Sequence, residues 1–230
     1  MAKLTQTITS DIIEWDIVNW KQALLFWNTH LQNETQSLHC LELGGRRGGP
    51  SLWLALNNHS VICSDYENPK DIATQLHKKY LFQKPIQYEA IDGLNIPYEA
   101  TFDLIIFKSI LGGISRSGKS ENKQKVIDEC FKALVPGGKL YFSENLEASW
   151  LHRFARKKFI KWGGDWNYLK YSEVNALFST FSSVSYATYG FFGAFGRTEK
   201  QRRFLGRIDS LIMPIIPKSK RYIVYGIATK

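Results

Sequence analysis

The stretch CLELGGRRGGPSLWLA, residues 40–55, sets a strand-like run, a glycine-rich turn and a helix-like run end to end. The strand ends at Leu43, and a helix starts near Pro50, whose missing N–H is no loss in a first turn. Backbone N–H groups at that helix start, with Gly44, Gly45 and Gly48, make a concavity rich in hydrogen-bond donors. A dinucleotide fingerprint needs a glycine two residues after Gly44, where the backbone must touch a pyrophosphate. Arg46 stands there instead, and its side chain would crowd a diphosphate. No GK[ST] follows, so a P-loop is excluded as well. Phosphate is therefore a poor fit for this loop.

Outward from this loop, strand-like runs recur with helical segments between them. LHCLEL (38–43), SVICS (60–64), IQYEA (86–90), FDLIIF (102–107) and KLYFSE (139–144) are the first five strands. Asn68 and Pro69 are a capping signal for the helix after the second strand, and ENKQKVIDECFKAL (121–134) is the helix before the fifth. Alternation of this kind predicts a parallel sheet with helices on both faces. SVSYATYGFF (183–192) and RYIVYGIA (221–228) supply two further strands. The fold class read from the sequence is α/β, a doubly wound, seven-stranded, mostly parallel sheet with an antiparallel last strand and helical additions at both ends. Residues 1–37 form a helical segment, 38–147 a cofactor-binding core and 148–230 a basic substrate-side part, all of one domain.

In the first of these, Trp20, Leu24, Trp27 and Leu31 fall on one helical stripe, which either packs over an edge of the sheet or forms a lid. SWLHRFARKKFIKW (149–162) reads as a basic amphipathic helix. Trp150, Leu151, Phe154 and Ile160 are expected to share its apolar face, with Arg153, Arg156, Lys157 and Lys161 around the other side. SEVNALFSTF (172–181) reads as a surface helix.

The 230 residues, 44% hydrophobic, suffice for one core. No apolar run is long enough to span a bilayer, and the N-terminal residues lack the order of a secretion signal. Cys40, Cys63 and Cys130 lack metal-ligand spacing and read as buried thiols, so a cytoplasmic protein is expected. The net charge of +9 is unevenly placed: residues 148–230 hold 15 Lys and Arg against 4 Asp and Glu, whereas residues 1–147 hold 15 against 17. A net of +11 in the second part points to an acidic partner, whether nucleic acid, an anionic membrane or a phosphorylated substrate.

Five pieces in order resemble the class I S-adenosylmethionine-dependent methyltransferases. Glu42, Gly44 and Gly48 match the family's first motif, [DE]-x-G-x-G-x-G, with Arg46 as the departure. Asp65 in VICSDYEN matches the acidic residue that binds the ribose hydroxyls, and Asp92 in YEAIDGLNIPY the one near the adenine amine. FDLIIFKSILGG and ALVPGGKLYFSEN are similar to the segments around the fourth and fifth strands. The resemblance implies S-adenosyl-L-methionine as cofactor, held by Glu42, Gly44, Gly45, Arg46, Gly48, Asp65, Tyr66, Asp92, Gly93 and Lys108. Arg46 either reaches the methionine carboxylate or points to solvent.

The acceptor is read by elimination. KSIL (108–111) replaces the [DNS]-P-P-[YF] motif of the nucleic-acid amino-methyltransferases, and no cysteine lies there for pyrimidine carbon chemistry. Lys108 stands where a catechol-type enzyme carries a metal-binding acid, so no metal is expected. O-methylation remains, with His152 and Glu144 as candidate bases and Lys108 as a group that orients substrate or cofactor. His152 alternatively belongs to the basic face of its helix. Flanking segments such as LHRFARKKFIKWGGDWNY and PKSKRYIVYGIATK resemble a bacterial methyltransferase group associated with O-antigen and capsule polysaccharide biosynthesis. That implies a sugar hydroxyl on a nucleotide-linked or lipid-linked saccharide, both phosphorylated carriers, with peripheral contact to the inner face of an anionic membrane as a further partner. RNA fits less well. A lipid or quinone methyltransferase and a non-catalytic binding protein are the other readings.

Overall fold

The computed structural model describes residues 4–159 and 165–230. Seven strands, β1 (His39–Leu43), β2 (Ser60–Asp65), β3 (Ile86–Ala90), β4 (Phe102–Lys108), β5 (Leu134–Asn145), β6 (Ser183–Tyr189) and β7 (Ile223–Thr229), form one sheet in the order β3-β2-β1-β4-β5-β7-β6. β1 to β5 pair in parallel, and β7 runs antiparallel to both β5 and β6. This is the expected Rossmann-like methyltransferase fold. The strand order reverses between β1 and β4, where open α/β sheets leave a crevice at their carboxyl ends.

Around the sheet lie α1 (Gln6–Ile13), α2 (Ile17–Leu31), α3 (Gly49–Leu56), α4 (Lys70–His77), α5 (Leu111–Ile114), α6 (Glu121–Ala133), α7 (Trp150–Phe159), α8 (Val174–Leu177) and α9 (Glu199–Ile212). Alternation along each strand splits the core in two. Leu104 and Ile106 of β4 face Trp27, Trp53 and Tyr141, under α2, α3 and α4. Ile105 and Phe107 face Ile127, Phe142 and Phe178, under α6 and α8. Both faces of β4 are therefore buried, which is why its sequence is apolar without a break. β5 begins earlier than the expected KLYFSE and takes in the VPGG run before it. Phe102 pairs with Leu134 and Leu104 with Lys139, so the extra residues bulge out.

Trp20, Leu24, Trp27 and Leu31 are buried as a single stripe, so α2 is a core helix. The turn between α1 and α2 instead approaches the cofactor-side loop: Glu14 pairs with Arg47 at 3.1 Å. A Cβ on Gly49 would lie 2.1 Å from the Ile12 carbonyl oxygen.

Two C-terminal expectations are corrected. SEVNALFSTF forms only a short helix, and it buries Val174, Leu177, Phe178 and Phe181 instead of lying on the surface. In α7 the buried residues are His152 and Arg156, one turn apart, while Trp150, Leu151 and Phe154 are exposed. The carbonyls beside β5 need donors, and Arg156 supplies them to Leu146 (2.8 Å) and Glu147 (3.2 Å). Ile160 and Lys161 lie outside the described residues. All three cysteines are buried and unpaired. No described helix is long and apolar enough to cross a membrane.

Candidate active site

Parallel register brings the ends of β1, β2, β3, β4 and β5 to one edge of the sheet, with Leu43 beside Phe107, Asp65 beside Ala90 and Lys108 beside Ser143. The loop after β1 turns at Gly44 (φ +65°) and Gly48 (φ +73°), where side chains would be strained. A Cβ at Gly48 would also strike the His77 imidazole at 2.5 Å. Arg46 adopts φ +44° without being a glycine. Its N–H donates to Asp65 Oδ2 at 3.0 Å, and the Tyr66 N–H donates to Oδ1 at 2.7 Å. Asp65 thus fixes the loop while each oxygen keeps a lone pair for a further donor. The left-handed conformation at Arg46 is one that glycine adopts without strain, and the hydrogen bond from its N–H to Asp65 holds the arginine in it.

Glu42 is buried. Its Oε2 accepts the Ser51 N–H at 2.9 Å and the Ser51 hydroxyl, which ties the end of β1 to the first turn of α3. Burial raises its pKa to about 7, against the opposing pull of Ser51, Cys63 and the Lys108 ammonium. Asp92 is exposed and accepts the Leu94 N–H at 2.9 Å, so part of its carboxylate shapes the turn after β3. Gly93 follows in that turn, and Tyr66 presents an exposed ring at the rim beside Asp65. These groups fit S-adenosylmethionine by their chemistry: free acceptor capacity for ribose hydroxyls, a donor loop, an exposed ring and no polyphosphate cradle.

Lys108 ends β4. Its ammonium lies over the rings of Trp15 (5.4 Å) and Trp20 (5.2 Å). Loss of water lowers its pKa, an effect offset by the carboxylates of Glu14, Glu42, Glu144 and Asp16. Glu144 is buried, and burial raises its pKa to about 7. Both of its oxygens are engaged, Oε2 by the Leu111 N–H (2.7 Å) and Oε1 by the Asn145 N–H (2.8 Å). Its place in the fold is to secure the turn into α5.

His152 is not on a solvated basic face. It is buried against Phe191, Phe195 and Tyr222. Nε2 faces the Phe191 carbonyl oxygen at 2.8 Å and Nδ1 faces the Ser149 hydroxyl at 2.7 Å. A carbonyl oxygen only accepts, so Nε2 carries the proton and Nδ1 accepts from Ser149. Burial lowers its pKa to about 4. Both ring nitrogens are committed within the fold, and the ring forms part of the wall of the cavity beside it.

That cavity, about 880 Å³, opens at the ends of β4 and β5 next to Ser109 and Asn145, whose side chains share a 2.6 Å hydrogen bond. Its aromatic walls include Trp15, Trp166 and Tyr168. Four cations, Arg156, Lys158, Arg197 and Arg202, line it, and among the described residues no carboxylate does. Trp15 divides the two halves of the site, with Lys108 on one side and the Arg202 guanidinium 5.5 Å from its ring.

A buried polar clasp holds Trp15 in place. The Asn19 amide reaches Tyr222 Oη (2.7 Å) and Asp209 Oδ2 (3.0 Å), and Tyr222 donates to Asp16. Glu199 accepts the N–H groups of Asp16 (2.8 Å) and Ile17 (3.0 Å). Asp209 accepts those of Phe192 (2.7 Å) and Gly193 (2.9 Å). Trp15, Asn145 and Arg197 are not singled out by the sequence, whereas Arg202 lies in TEKQRRFLGR (198–207), whose arginines the sequence offers to an anionic lipid or a phosphorylated carrier.

Residues 41–142 match the family model described as a methyltransferase domain. Among solved structures, the chain is similar to phosphoethanolamine N-methyltransferase 2 of Haemonchus contortus, solved with phosphomonomethylethanolamine and S-adenosylhomocysteine. That pair has a TM-score of 0.61 and 13% identity over 92% of this chain and 52% of that one, so this chain spans about half the length of the nematode enzyme. It is also similar to the N-methyltransferase NodS of Bradyrhizobium japonicum, with a TM-score of 0.57, 17% identity and 92% and 95% of the two chains covered. A third likeness is to a Methanosarcina mazei S-adenosylmethionine-dependent methyltransferase, with a TM-score of 0.59, 16% identity and 87% and 96% covered. At these identities the likeness establishes the fold. No curated protein matches the sequence. The family match runs from β1 into β5, the stretch that holds every cofactor-side residue above, and it supports a class I S-adenosylmethionine-dependent methyltransferase with S-adenosylmethionine as its cofactor.

Proposed function

We propose that the protein transfers a methyl group to a hydroxyl of a phosphate-bearing saccharide, nucleotide-linked or lipid-linked, the hydroxyl proton passing to water and the cofactor leaving as S-adenosylhomocysteine. The observation that carries this reading is the lining of the 880 Å³ cavity: four cations, several aromatic rings and, among the described residues, no carboxylate. Aromatic faces suit sugar rings, and clustered guanidinium groups suit phosphate oxygens. An amine acceptor would enter as an ammonium and be repelled by the same cations.

S-adenosylmethionine, when bound, supplies a methyl group already activated by its sulfonium charge. The chain supplies position. Asp65 would bind the ribose hydroxyls, Asp92, Gly93 and Tyr66 the adenine, and Gly44, Gly45 and Gly48 would admit the amino-acid end, with the exposed Arg46 as partner of its carboxylate. Glu42 holds the loop through Ser51. Of the three catalytic candidates, Glu144 is fully buried beneath the turn into α5, His152 has both ring nitrogens committed within the fold, and Lys108 lies over two indoles. We assign Lys108 the orienting role at the junction of the cofactor and acceptor halves. Lys108→Gln is expected to lower kcat at least about tenfold, the order of one lost charge-assisted hydrogen bond, with the melting temperature unchanged or raised.

The test is transfer of label from methyl-labelled cofactor to separate pools of nucleotide sugars, lipid-linked saccharides and RNA. Label in an ether-linked sugar methyl, reduced in Arg202→Ala, is the expected result. Label confined to RNA or to an amine would overturn the reading.

A further inference from the structure

The packing of α9 leaves an apolar stripe with no partner among the described residues. One face of this helix is fixed to the protein. A Cβ on Gly206 would lie 2.8 Å from Val18, Asp209 is buried in the clasp, and Met213 just beyond the helix is buried too. The opposite face carries Phe204, Ile208 and Leu211 at spacings of four and three, and Ile215 four residues further on. Phe204 is 63% exposed, Leu211 81% and Ile215 78%. A helix that packs by one face has no folding reason to line the other with large apolar residues. Lys200, Arg203 and Arg207 run along one flank of the stripe, all exposed and, among the described residues, without an ion pair.

A second surface of the same kind adjoins it. On α7, Trp150 (66% exposed), Leu151 and Phe154 face outward among Arg153, Lys157 and Lys158. The segment that leads into α9 meets the end of α7, where the Arg197 guanidinium lies 5.2 Å from the Phe159 ring centroid. Phe195 and Arg197 line both the acceptor cavity and a neighbouring groove that Phe204 and Lys200 complete. The apolar face thus begins at the mouth of the site.

We propose that α9, with the outer face of α7, docks the protein onto an anionic lipid surface. Apolar residues with a basic flank are the composition of a helix that lies in the headgroup region. Charge chooses the occupant. Residues 148–230 carry a net of +11, so a second copy would bring like charge against like, whereas an anionic leaflet attracts each basic residue.

The test is flotation of the full chain with vesicles of phosphatidylcholine alone and of phosphatidylcholine with phosphatidylglycerol, at low and high salt. It needs neither cofactor nor acceptor, so its failure would leave the methyl-transfer reading standing. The expected result is binding to the anionic vesicles only, weakened by salt. Arg203→Ser with Arg207→Ser should lower the partition coefficient roughly 25-fold, about fivefold for each arginine. Leu211→Ser with Ile215→Ser should lower it at least about tenfold. All four side chains are exposed, and unchanged thermal melting of both double variants checks that the fold is kept. No flotation with anionic vesicles at low salt, or equal flotation of the Leu211/Ile215 variant, would overturn the proposal. So would a lipid-free dimer, seen by sedimentation equilibrium, that the same variant disperses.

Discussion

Glu42 and His152 are both buried and both titrate far from their ordinary range, in ways that separate their roles. Glu42 has a folded pKa of about 7 because burial disfavours its charge. A carboxyl raised in this way stabilises the fold fully below its unfolded pKa, near 4.3, and that stabilisation is lost as pH rises through about 7. Glu42→Gln keeps an acceptor for Ser51 and cannot ionise. Its stability relative to the unsubstituted chain is therefore expected to improve by up to roughly 3 kcal/mol from pH 4 to pH 8, measured by urea unfolding across that range. A constant difference would mean that Glu42 is not protonated in the fold. His152 has the opposite shift, down to about 4, and it stays neutral through the neutral range. Replacing it with Asn should cost about 1–3 kcal/mol of stability through lost buried hydrogen bonds. The pH dependence of kcat/KM should keep its shape, and loss of a titration step in this variant would restore His152 as a base.

At the scale of elements, the junction between α1 and α2 is what joins the two halves of the chain. Asp209 on α9 accepts three hydrogen bonds from Asn19, Phe192 and Gly193, and through Asn19 and Tyr222 it reaches Asp16, next to Trp15. Asp209→Ala leaves those donors unpaired, and a loss of about 2–4 kcal/mol is expected in chemical denaturation. Since Trp15 walls the acceptor cavity, KM for the acceptor should rise in the same variant while affinity for S-adenosylhomocysteine changes little. Such a clasp was illegible in the sequence, because Asp16, Asn19, Asp209 and Tyr222 are separated by up to about two hundred positions and each is an ordinary polar residue. By contrast β1 to β5 were legible, because local periodicity and turn residues encode them. The orientation of α7 was misread for a definite reason. Apolar residues were expected inward, but unpaired carbonyls at Leu146, Glu147 and Phe191 draw Arg156 and His152 into the core. Hydrogen-bond demand from another element outweighed the helix's own hydrophobic pattern there.

For the molecule as a whole, one edge of one sheet gathers the candidate site residues and the C-terminal part of the chain carries the positive charge. The residues proposed for the cofactor lie in residues 42–108 and form a motif series in the sequence, since each lies at or close to the end of a strand. The cavity, assembled from the α1–α2 junction, β4, β5, α7 and the segment before α9, forms none. Its four cations come from two stretches of sequence, 156–158 and 197–202, that only the fold brings together. Among the described residues, no cluster of His, Cys, Asp and Glu could hold a metal ion, and methyl transfer is expected to survive EDTA. Loss of turnover restored by magnesium would show that the strand ends hold a cation after all. The central claim is that the loop after β1, with Asp65, holds S-adenosylmethionine. Calorimetric titration with S-adenosylhomocysteine tests it most directly. The expected result is binding at one site per chain, undisturbed by NAD and weakened roughly tenfold to a hundredfold in Asp65→Ala. No binding, displacement by NAD or an unchanged affinity in that variant would contradict it.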